Sequence, residues 1–454
     1  MSEDASAPAR AVARRLRGSG HQALFAGGCV RDRLLGRPPR DYDVATSARP
    51  DAVRALFPRT VPVGERFGCV QVLDEAGRKV EVTTFRADGA YSDGRRPDAV
   101  EFGDDPAGDA RRRDFTANAL FEDPDSGEVI DFVAGRADLD ARLLRAVGDP
   151  GARFDEDRLR MLRAVRFAAV LGWRIEPATL AAIRARAAAA ASVAAERTRT
   201  EIVRMLVEGG AARGLDLLKE TGLLPVLLPE VAACEGVAQP PDFHPEGDVL
   251  VHTRLAVAGL DRLPAPASAA LALATLFHDV GKPPTFKVAE RIRFDGHDRV
   301  GAEMAEAACR RLRCSNAETE AVTALVARHM VWRNLPNMRE ARLRRFVADP
   351  LFPEHLALHR LDCAASHGDL SLGEYAVSAK ERFDSEPPRP PRLLSGHDLV
   401  AMGLRPGPRF AKILRAVEDA WLERRLSTPE EARAFVRERF LGKKRRRSKG
   451  SEDE

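Results

Sequence analysis

Two aspartates one residue apart, Asp41 and Asp43, follow a double-glycine turn in the stretch Leu24–Val44, LFAGGCVRDRLLGRPPRDYDV, and this string constrains the fold more than any other. It reads as a short apolar strand, the Gly27-Gly28 turn, a brief basic helix starting near Val30, a Pro38-Pro39 loop and a strand carrying the two acids at i and i+2. Side chains two apart on a strand share a face, so the carboxylates stand side by side. Such a pair repels itself unless a cation lies between, and hard oxygen ligands at this spacing suit Mg²⁺ held beside phosphates. The glycines let backbone approach a ligand closely, and the helix start aims N–H groups at an anion. Separately these are common surface features; together they describe a nucleoside-triphosphate site with a metal clamp.

The chain around this string divides by pattern. Residues 1–20 lead into an amphipathic helix ending near Gly18-Ser19-Gly20, and Ala48–Leu56 predicts a short helix. Alternating segments Val61–Val63, Cys69–Leu73 and Val80–Phe85 then predict strands separated by turns. In the third, KVEVTTFR, Glu81 is either an edge-strand acid in solvent or a third carboxylate beside Asp41 and Asp43. Residues 88–111 are rich in Gly, Asp, Pro and Arg without a period, and a loop of that length in a compact domain is functional or disordered. From about Asp155 the pattern turns helical: DEDRLRMLRAVRFAAVLGW sets Asp157, Arg160 and Arg163 at i, i+3 and i+6 of one helix, where an acid and a base three apart form a surface ion pair. Ala- and Leu-rich helices continue over 178–235, and the Pro-rich stretch Gln239–Pro245 marks a domain boundary.

A second constellation lies beyond it. His278-Asp279 closes an apolar helix and precedes Gly-Lys-Pro, with His252 upstream and Asp362 downstream. Two imidazoles and two carboxylates from separate helices can enclose a divalent transition metal, and His297 and His329 add ligands enough for a second ion. Met304, Leu312, Val322 and Leu325 read as core. His397-Asp398 repeats the dipeptide without the flanking ligands, so Ser395 and Asp398 read as helix-start residues.

Length and composition set the frame. At 454 residues the chain holds roughly two to four domains, each expected to have its own core. With 44% hydrophobic and 31% charged residues it fits a soluble globular protein. Apolar runs are too short for a membrane span and no secretory leader is evident, so a cytoplasmic location and no membrane partner are expected. Six cysteines without a CxxC indicate neither a zinc ribbon nor a disulfide scaffold. A net charge of +4 does not by itself call for nucleic acid, and the run Lys443–Arg447, KKRRR, is either a solubilising tail or an RNA-binding arm.

The motifs GGCVRD and RDYDVAT resemble the nucleotidyltransferase signature of the tRNA CCA-adding enzyme and bacterial poly(A) polymerase family, and the order H…HD…D resembles the HD phosphohydrolase superfamily. The resemblance implies a multidomain α+β protein. Its parts are an N-terminal lead (1–20), a small mixed α/β, polymerase-β-like nucleotidyltransferase head (21–145), an all-α neck and body binding nucleobase and RNA (146–238), an all-α HD domain (239–372) and a helical tail with a basic end (373–454). It implies Mg²⁺ on Asp41, Asp43 and Glu81, with Gly27, Gly28 and Arg31 facing the triphosphate. RRRDFTANALF resembles the family's second motif, implying that Arg113, Asp114 and Asn118 touch ribose and phosphate; read alone, Asp114 caps a helix. EDRLR occupies the family's EDxxR position, implying that Asp157 and Arg160, with Arg163, bind the incoming base.

The implied base reading has a chemical rationale. Cytosine and adenine each present an amino donor beside a ring-nitrogen acceptor, which a carboxylate and a guanidinium complement; uracil and guanine reverse the order. The implied activity is addition of CMP and AMP from CTP and ATP to the tRNA 3′ end. The implied HD centre comprises His252, His278, Asp279, His297, His329 and Asp362 with a divalent transition metal, supporting hydrolysis of phosphate esters. Alternatives are poly(A) addition, a partial enzyme adding only CC or only A, and an HD phosphohydrolase whose N-terminal part binds RNA or nucleotide. VPVGERFGCVQV and the HD segment both favour the CCA-adding form over the polymerase.

Overall fold

The computed structural model describes residues 5–62, 68–88, 100–386 and 392–441. Val63 and the rest of GERF in VPVGERFGCVQV, most of the loop after Asp88, part of the linker before Arg392 and the run Lys443–Arg447 lie outside the described residues.

The sheet of the head is built from runs whose alternation suits burial on two faces. Strands β1 (Ala23–Ala26), β2 (Asp43–Thr46), β3 (Thr60–Pro62), β4 (Cys69–Leu73), β5 (Lys79–Thr84), β8 (Phe121–Glu122) and β9 (Val129–Ile130) join in the order β3-β4-β5-β2-β1-β8-β9; β6 (Arg86–Asp88) and β7 (Val100–Phe102) form a separate two-stranded ribbon. Every pairing in the large sheet is antiparallel except β2 with β5. Phe25, Val44, Val70 and Val82 point to the main core, whereas Leu24, Ala26, Ala45 and Phe121 meet Phe85 and Ala119 on the opposite face. Helices α1 (Ala7–Gly18), α2 (Gly28–Leu34) and α3 (Pro50–Leu56) flank the strands. The stretch expected to be an irregular loop contains β7 and α4 (Pro106–Arg111), which is started by Asp105 accepting from the Ala107 and Gly108 N–H groups.

The helical part begins with α5 (Gly135–Asp140), α6 (Pro150–Glu156) and α7 (Leu159–Leu171), while β10 (Leu143–Leu144) pairs with β11 (Arg174–Ile175). It continues through α8 (Pro177–Arg186), α9 (Ala195–Val207), α10 (Ala211–Glu220), α11 (Leu224–Leu227) and α12 (Pro229–Ala232). Then α13 (Val249–Leu260), α14 (Ala269–Phe277), apolar but for Thr275, α15 (Lys282–Thr285), α16 (His297–Arg311), α17 (Asn316–Arg328), α18 (Glu340–Val347), α19 (Phe352–Ala365) and α20 (Ser371–Asp384) build the HD part. A hairpin of β12 (Lys287–Val288) and β13 (Ile292–Arg293) stands between α15 and α16.

Separate cores close on the second face of the head sheet, around Trp332 and Phe346 in the last HD helices, and in the tail, while the rest is shared. Buried residues from Ala9 to Leu361 form one continuous cluster through head, neck and HD helices. In the tail, α21 (Gly396–Ala401), α22 (Pro408–Leu422) and α23 (Pro429–Val436) close their own core around Leu399, Ile413 and Val436. Ser395 and Asp398 form a reciprocal capping box at α21, as their reading as helix-start residues expects. All six cysteines are free thiols. Among the described residues, no helix is long and apolar enough to cross a membrane.

Candidate functional site

A cleft of about 870 Å³ opens between the sheet and the helical neck, lined by Gly27, Gly28, Asp41, Asp43 and Glu81 from the head and by Asp157, Arg160 and Arg163 from the neck. Gly27 adopts φ +80°, and a Cβ there would meet the Arg113 guanidinium at 3.0 Å, so only glycine lets the turn lie against that cation. The following helix starts at Gly28 rather than near Val30. Asp43 opens β2, and Asp41 lies two residues earlier, just outside the strand, because the Pro38-Pro39 loop ends only there. The parallel register Val44↔Val82 sets Asp43 beside Glu81 on the neighbouring strand. Burial, then Glu81 and Asp41, push the Asp43 carboxyl up to about 7, with Arg113 offsetting only part of the rise, the signature of three crowded acids.

The cationic side chains facing this cluster are held by acids of their own. Arg31 is buried, donating to Asn118 Oδ1 at 2.6 Å and Asp32 Oδ1 at 2.6 Å. Arg113 donates to Asp109 Oδ2 at 3.0 Å and lies 4.9 Å from the Phe121 ring. Asp114 caps no helix. It accepts from Arg163 at 2.6 Å and from Asn118 Nδ2 at 3.2 Å, and although burial raises its pKa, Arg163 holds it below the usual carboxylate range.

The expected Asp157–Arg160 pair on one helix is not formed. The chain breaks between α6 and α7, leaving Asp157 in the junction with its side chain accepting from the Leu159 N–H at 3.1 Å. Asp157 instead takes a fork from Arg197 of α9, at 2.7 and 3.1 Å, and Arg160 donates to Glu156 at 2.8 Å. Each therefore enters the cleft with a separate anchor. Arg197, Arg166 and Glu201 were missed in the sequence; their partners lie 35 or more positions away, beyond the reach of local spacing.

The six HD residues converge from five chain segments. His252 lies within α13, His278 and Asp279 follow α14, His297 opens α16, His329 ends α17 and Asp362 lies within α19. Two ligand groups result, His252–His278–Asp362 and Asp279–His297–His329. Nε2 of His252 is 3.1 Å from Nε2 of His278 and 3.1 Å from Asp362 Oδ1, and Nε2 of His297 is 3.1 Å from Nε2 of His329. All these residues are buried except Asp362, whose side chain keeps 24% exposure and forms the opening.

The other ring nitrogens fix the tautomers. Nδ1 of His278, His297 and His329 faces the carbonyls of Thr275, Phe294 and Val326 at 2.9, 2.8 and 2.7 Å, and Nδ1 of His252 faces Glu246 Oε1 at 2.7 Å. A carbonyl only accepts, so these Nδ1 atoms carry protons and the Nε2 atoms point at one another. Although burial opposes it, Asp362 and Glu246 push His252 up to about 9, so without an ion its Nε2 also holds a proton. Opposed lone pairs at this separation need a shared proton or cation between them, and the donor set of imidazoles and carboxylates fits a divalent transition metal. Burial holds His329 neutral, at about 4. Asp279 stays ionised because Lys282 and the histidines outweigh its burial, with Lys282 Nζ at 2.7 Å. Gly281 makes the convergence possible, since a Cβ there would strike the His297 carbonyl at 2.1 Å.

Comparison with known proteins agrees with both halves. Residues 23–145 match the poly A polymerase head domain, 172–235 the probable RNA and SrmB-binding site of polymerase A, and 252–362 the HD domain. The chain is 38% identical to the A-adding tRNA nucleotidyltransferase of Deinococcus radiodurans over 91% of its own length and 94% of that protein. The chain belongs to the tRNA nucleotidyltransferase and poly(A) polymerase family. Within that family it is 48% identical to the CCA-adding enzyme of Levilactobacillus brevis, over 47% of this chain and 54% of that one. Thus the chain spans about half the length of the first curated relatives it matches. The crystal structure of the Bacillus stearothermophilus CCA-adding enzyme in complex with CTP superposes with a TM-score of 0.74 at 29% identity, covering 97% of this chain and 98% of that one.

Proposed function

We propose that the chain is a tRNA 3′-end nucleotidyltransferase that adds CMP and AMP from CTP and ATP, releasing pyrophosphate. The observation that carries this reading is the cluster Asp41, Asp43 and Glu81 opening on the same cleft as Asp157 and Arg160. Bound Mg²⁺ would neutralise the triphosphate and favour ionisation of the attacking 3′-hydroxyl. The three carboxylates would hold that cation, and the Gly27-Gly28 backbone leaves room for the phosphates beside Arg31 and Arg113. Asp157 accepts from the amino group of cytosine or adenine while Arg160 donates to the adjacent ring nitrogen, and their anchors on Arg197 and Glu156 keep either from turning to suit uracil or guanine. Asn118 and Asp114, tied to each other and to Arg163, offer polar contacts to a ribose.

A narrower reading, addition of the terminal AMP alone, is favoured by the nearly full-length likeness to the A-adding enzyme. One assay separates the two. Purified protein is given tRNA lacking its last nucleotides, or tRNA ending in two cytidines, with each triphosphate in turn. CMP incorporation into the shorter substrate supports CCA addition; AMP incorporation only into the longer supports A addition; long adenosine tails would replace both with poly(A) synthesis.

The HD centre supports a second reaction, metal-dependent hydrolysis of phosphate esters such as a 2′,3′-cyclic phosphate at an RNA end. It rests on the opposed Nε2 pairs and the opening at Asp362. Opening of a 2′,3′-cyclic phosphate on an RNA end to the 2′- or 3′-monoester, lost in His278→Ala, tests it.

A further inference from the structure

The hairpin between α15 and α16 has no role in the reactions above, yet both its ends are tied to the HD ligands. On one side Lys282 contacts Asp279 at 2.7 Å; on the other the Phe294 carbonyl fixes His297 Nδ1 at 2.8 Å. Its rings form a step outward from the centre: Phe294 lies 6.4 Å from the His297 ring and 5.8 Å from Phe286, which is 40% exposed. Strand alternation puts Phe286, Val288, Ile292 and Phe294 on one face, and Val288 is 71% exposed.

The other face carries Lys287 and Arg293, with the acids Glu290 at the turn and Asp295 beyond Arg293 also exposed. Lys287 and Arg293 stand directly opposite each other across the ladder, both exposed, and neither forms an ion pair among the described residues; Arg291 is exposed at the turn. Like charges directly opposite in a ladder are destabilising, and a two-stranded hairpin is marginal in water to begin with. An anion lying across Lys287 and Arg293 removes the repulsion. Rings on one face and cations on the other suit a single strand that wraps the hairpin edge, with a base against the rings and phosphates against the cations.

We propose that residues 286–294 grip the single-stranded 3′ end of an RNA and feed its terminal phosphate to the HD centre, with a base stacked on Phe286 and the backbone phosphates on Lys287, Arg291 and Arg293. This deepens the proposed hydrolase reading and rests on it for the fate of the end, while the grip itself is tested by position and charge.

A short single-stranded oligoribonucleotide with a 3′-phosphate and a 4-thiouridine next to its end is cross-linked by light to the full-length protein loaded with Mn²⁺, and the linked peptides are mapped. The expected link falls on residues 286–294. Lys287→Ala combined with Arg291→Ala and Arg293→Ala lowers its yield about tenfold or more, whereas Lys287→Arg alone, which keeps the charge, leaves it at the parent level. Mn²⁺ bound at the HD centre, read by its paramagnetic resonance, stays as in the parent protein and shows that the triple variant is folded. Links confined to the head, neck or tail overturn the proposal, as does a triple variant that links as the parent does. Loss in that variant of sedimentation with phosphatidylserine vesicles, with no RNA link in the parent, also overturns it and assigns the hairpin to a membrane surface. If the link and its charge dependence hold but neither a 2′,3′-cyclic end is opened nor a 3′-phosphate is removed, the hydrolase reading falls and the grip stands.

Discussion

The two ligand clusters of this protein contrast in nearly every physical respect. In the head, three carboxylates come from strands and their approach, two of them exposed, and the cluster faces a wide cleft. In the HD part, four imidazoles and two carboxylates come from helices, are almost wholly buried, and are locked by carbonyls and by Glu246. An open all-oxygen cluster suits a hard ion that keeps water and binds together with phosphates; a buried imidazole cage with fixed tautomers suits a tightly held transition metal. On the proposed function, the first would take a cation that accompanies each nucleotide and the second one that resides.

The widest break in this contrast comes from exchanging losses. Asp41→Ala with Asp43→Ala should lower CMP or AMP transfer on the order of a thousandfold or more while leaving metal at the HD centre. His278→Ala should remove that metal and spare transfer; parallel transfer assays and metal analysis of the two variants check this. A smaller change sharpens the idea of a resident ion: Glu246→Gln weakens the hold on His252 Nδ1 and should lower HD metal affinity about 10- to 100-fold, measured by competition with a chelator.

Next, Arg197→Ala should leave Asp157 without its fork and free to turn. Discrimination between CTP or ATP and UTP should then fall by about 1–3 kcal/mol, read from kcat/KM for each triphosphate, with a smaller loss for the preferred nucleotide. The smallest effect concerns stability. Asp43 has a folded pKa of about 7, above its unfolded value of 3.8, so its ionisation weakens the Mg²⁺-free fold as pH rises through that interval. Asp43→Asn should therefore raise Mg²⁺-free stability at pH near 8 by about 1 kcal/mol and have little effect at pH near 4. Thermal melting with and without Mg²⁺ tests both signs.

Much of this was legible in residue order. The double glycine, the acid pair and the strand bearing Glu81 were readable because a turn, a period of two and a register carry their own local signals, and β4 falls on Cys69–Leu73 as alternation expects. The convergence of the six HD residues was readable because the order H…HD…D of imidazoles and carboxylates is unusual on apolar helices. What local pattern misread was the junction at Asp157. An i, i+3 spacing implied one helix and one ion pair, but the chain turns there so that Asp157 can reach Arg197, forty positions later, and Arg160 takes Glu156. Arg166 of the cleft and its partner Glu201 escaped for the same reason, since a buried pair between two helices leaves no trace in either helix alone.

By itself, then, the order of residues decided which atoms were available: oxygens alone at one end, imidazoles with carboxylates at the other, each on elements whose periodicity it also set. Folding decided which of them meet. Gly281 had to lack a side chain for α16 to carry His297 up to Asp279, and Glu246 and Lys282 became supports only once α13 and α15 were packed beside the cage. Ligand chemistry is a property of single side chains and survives in a string of letters; convergence depends on burying a core shared by distant segments, and that is fixed only when the whole cluster closes.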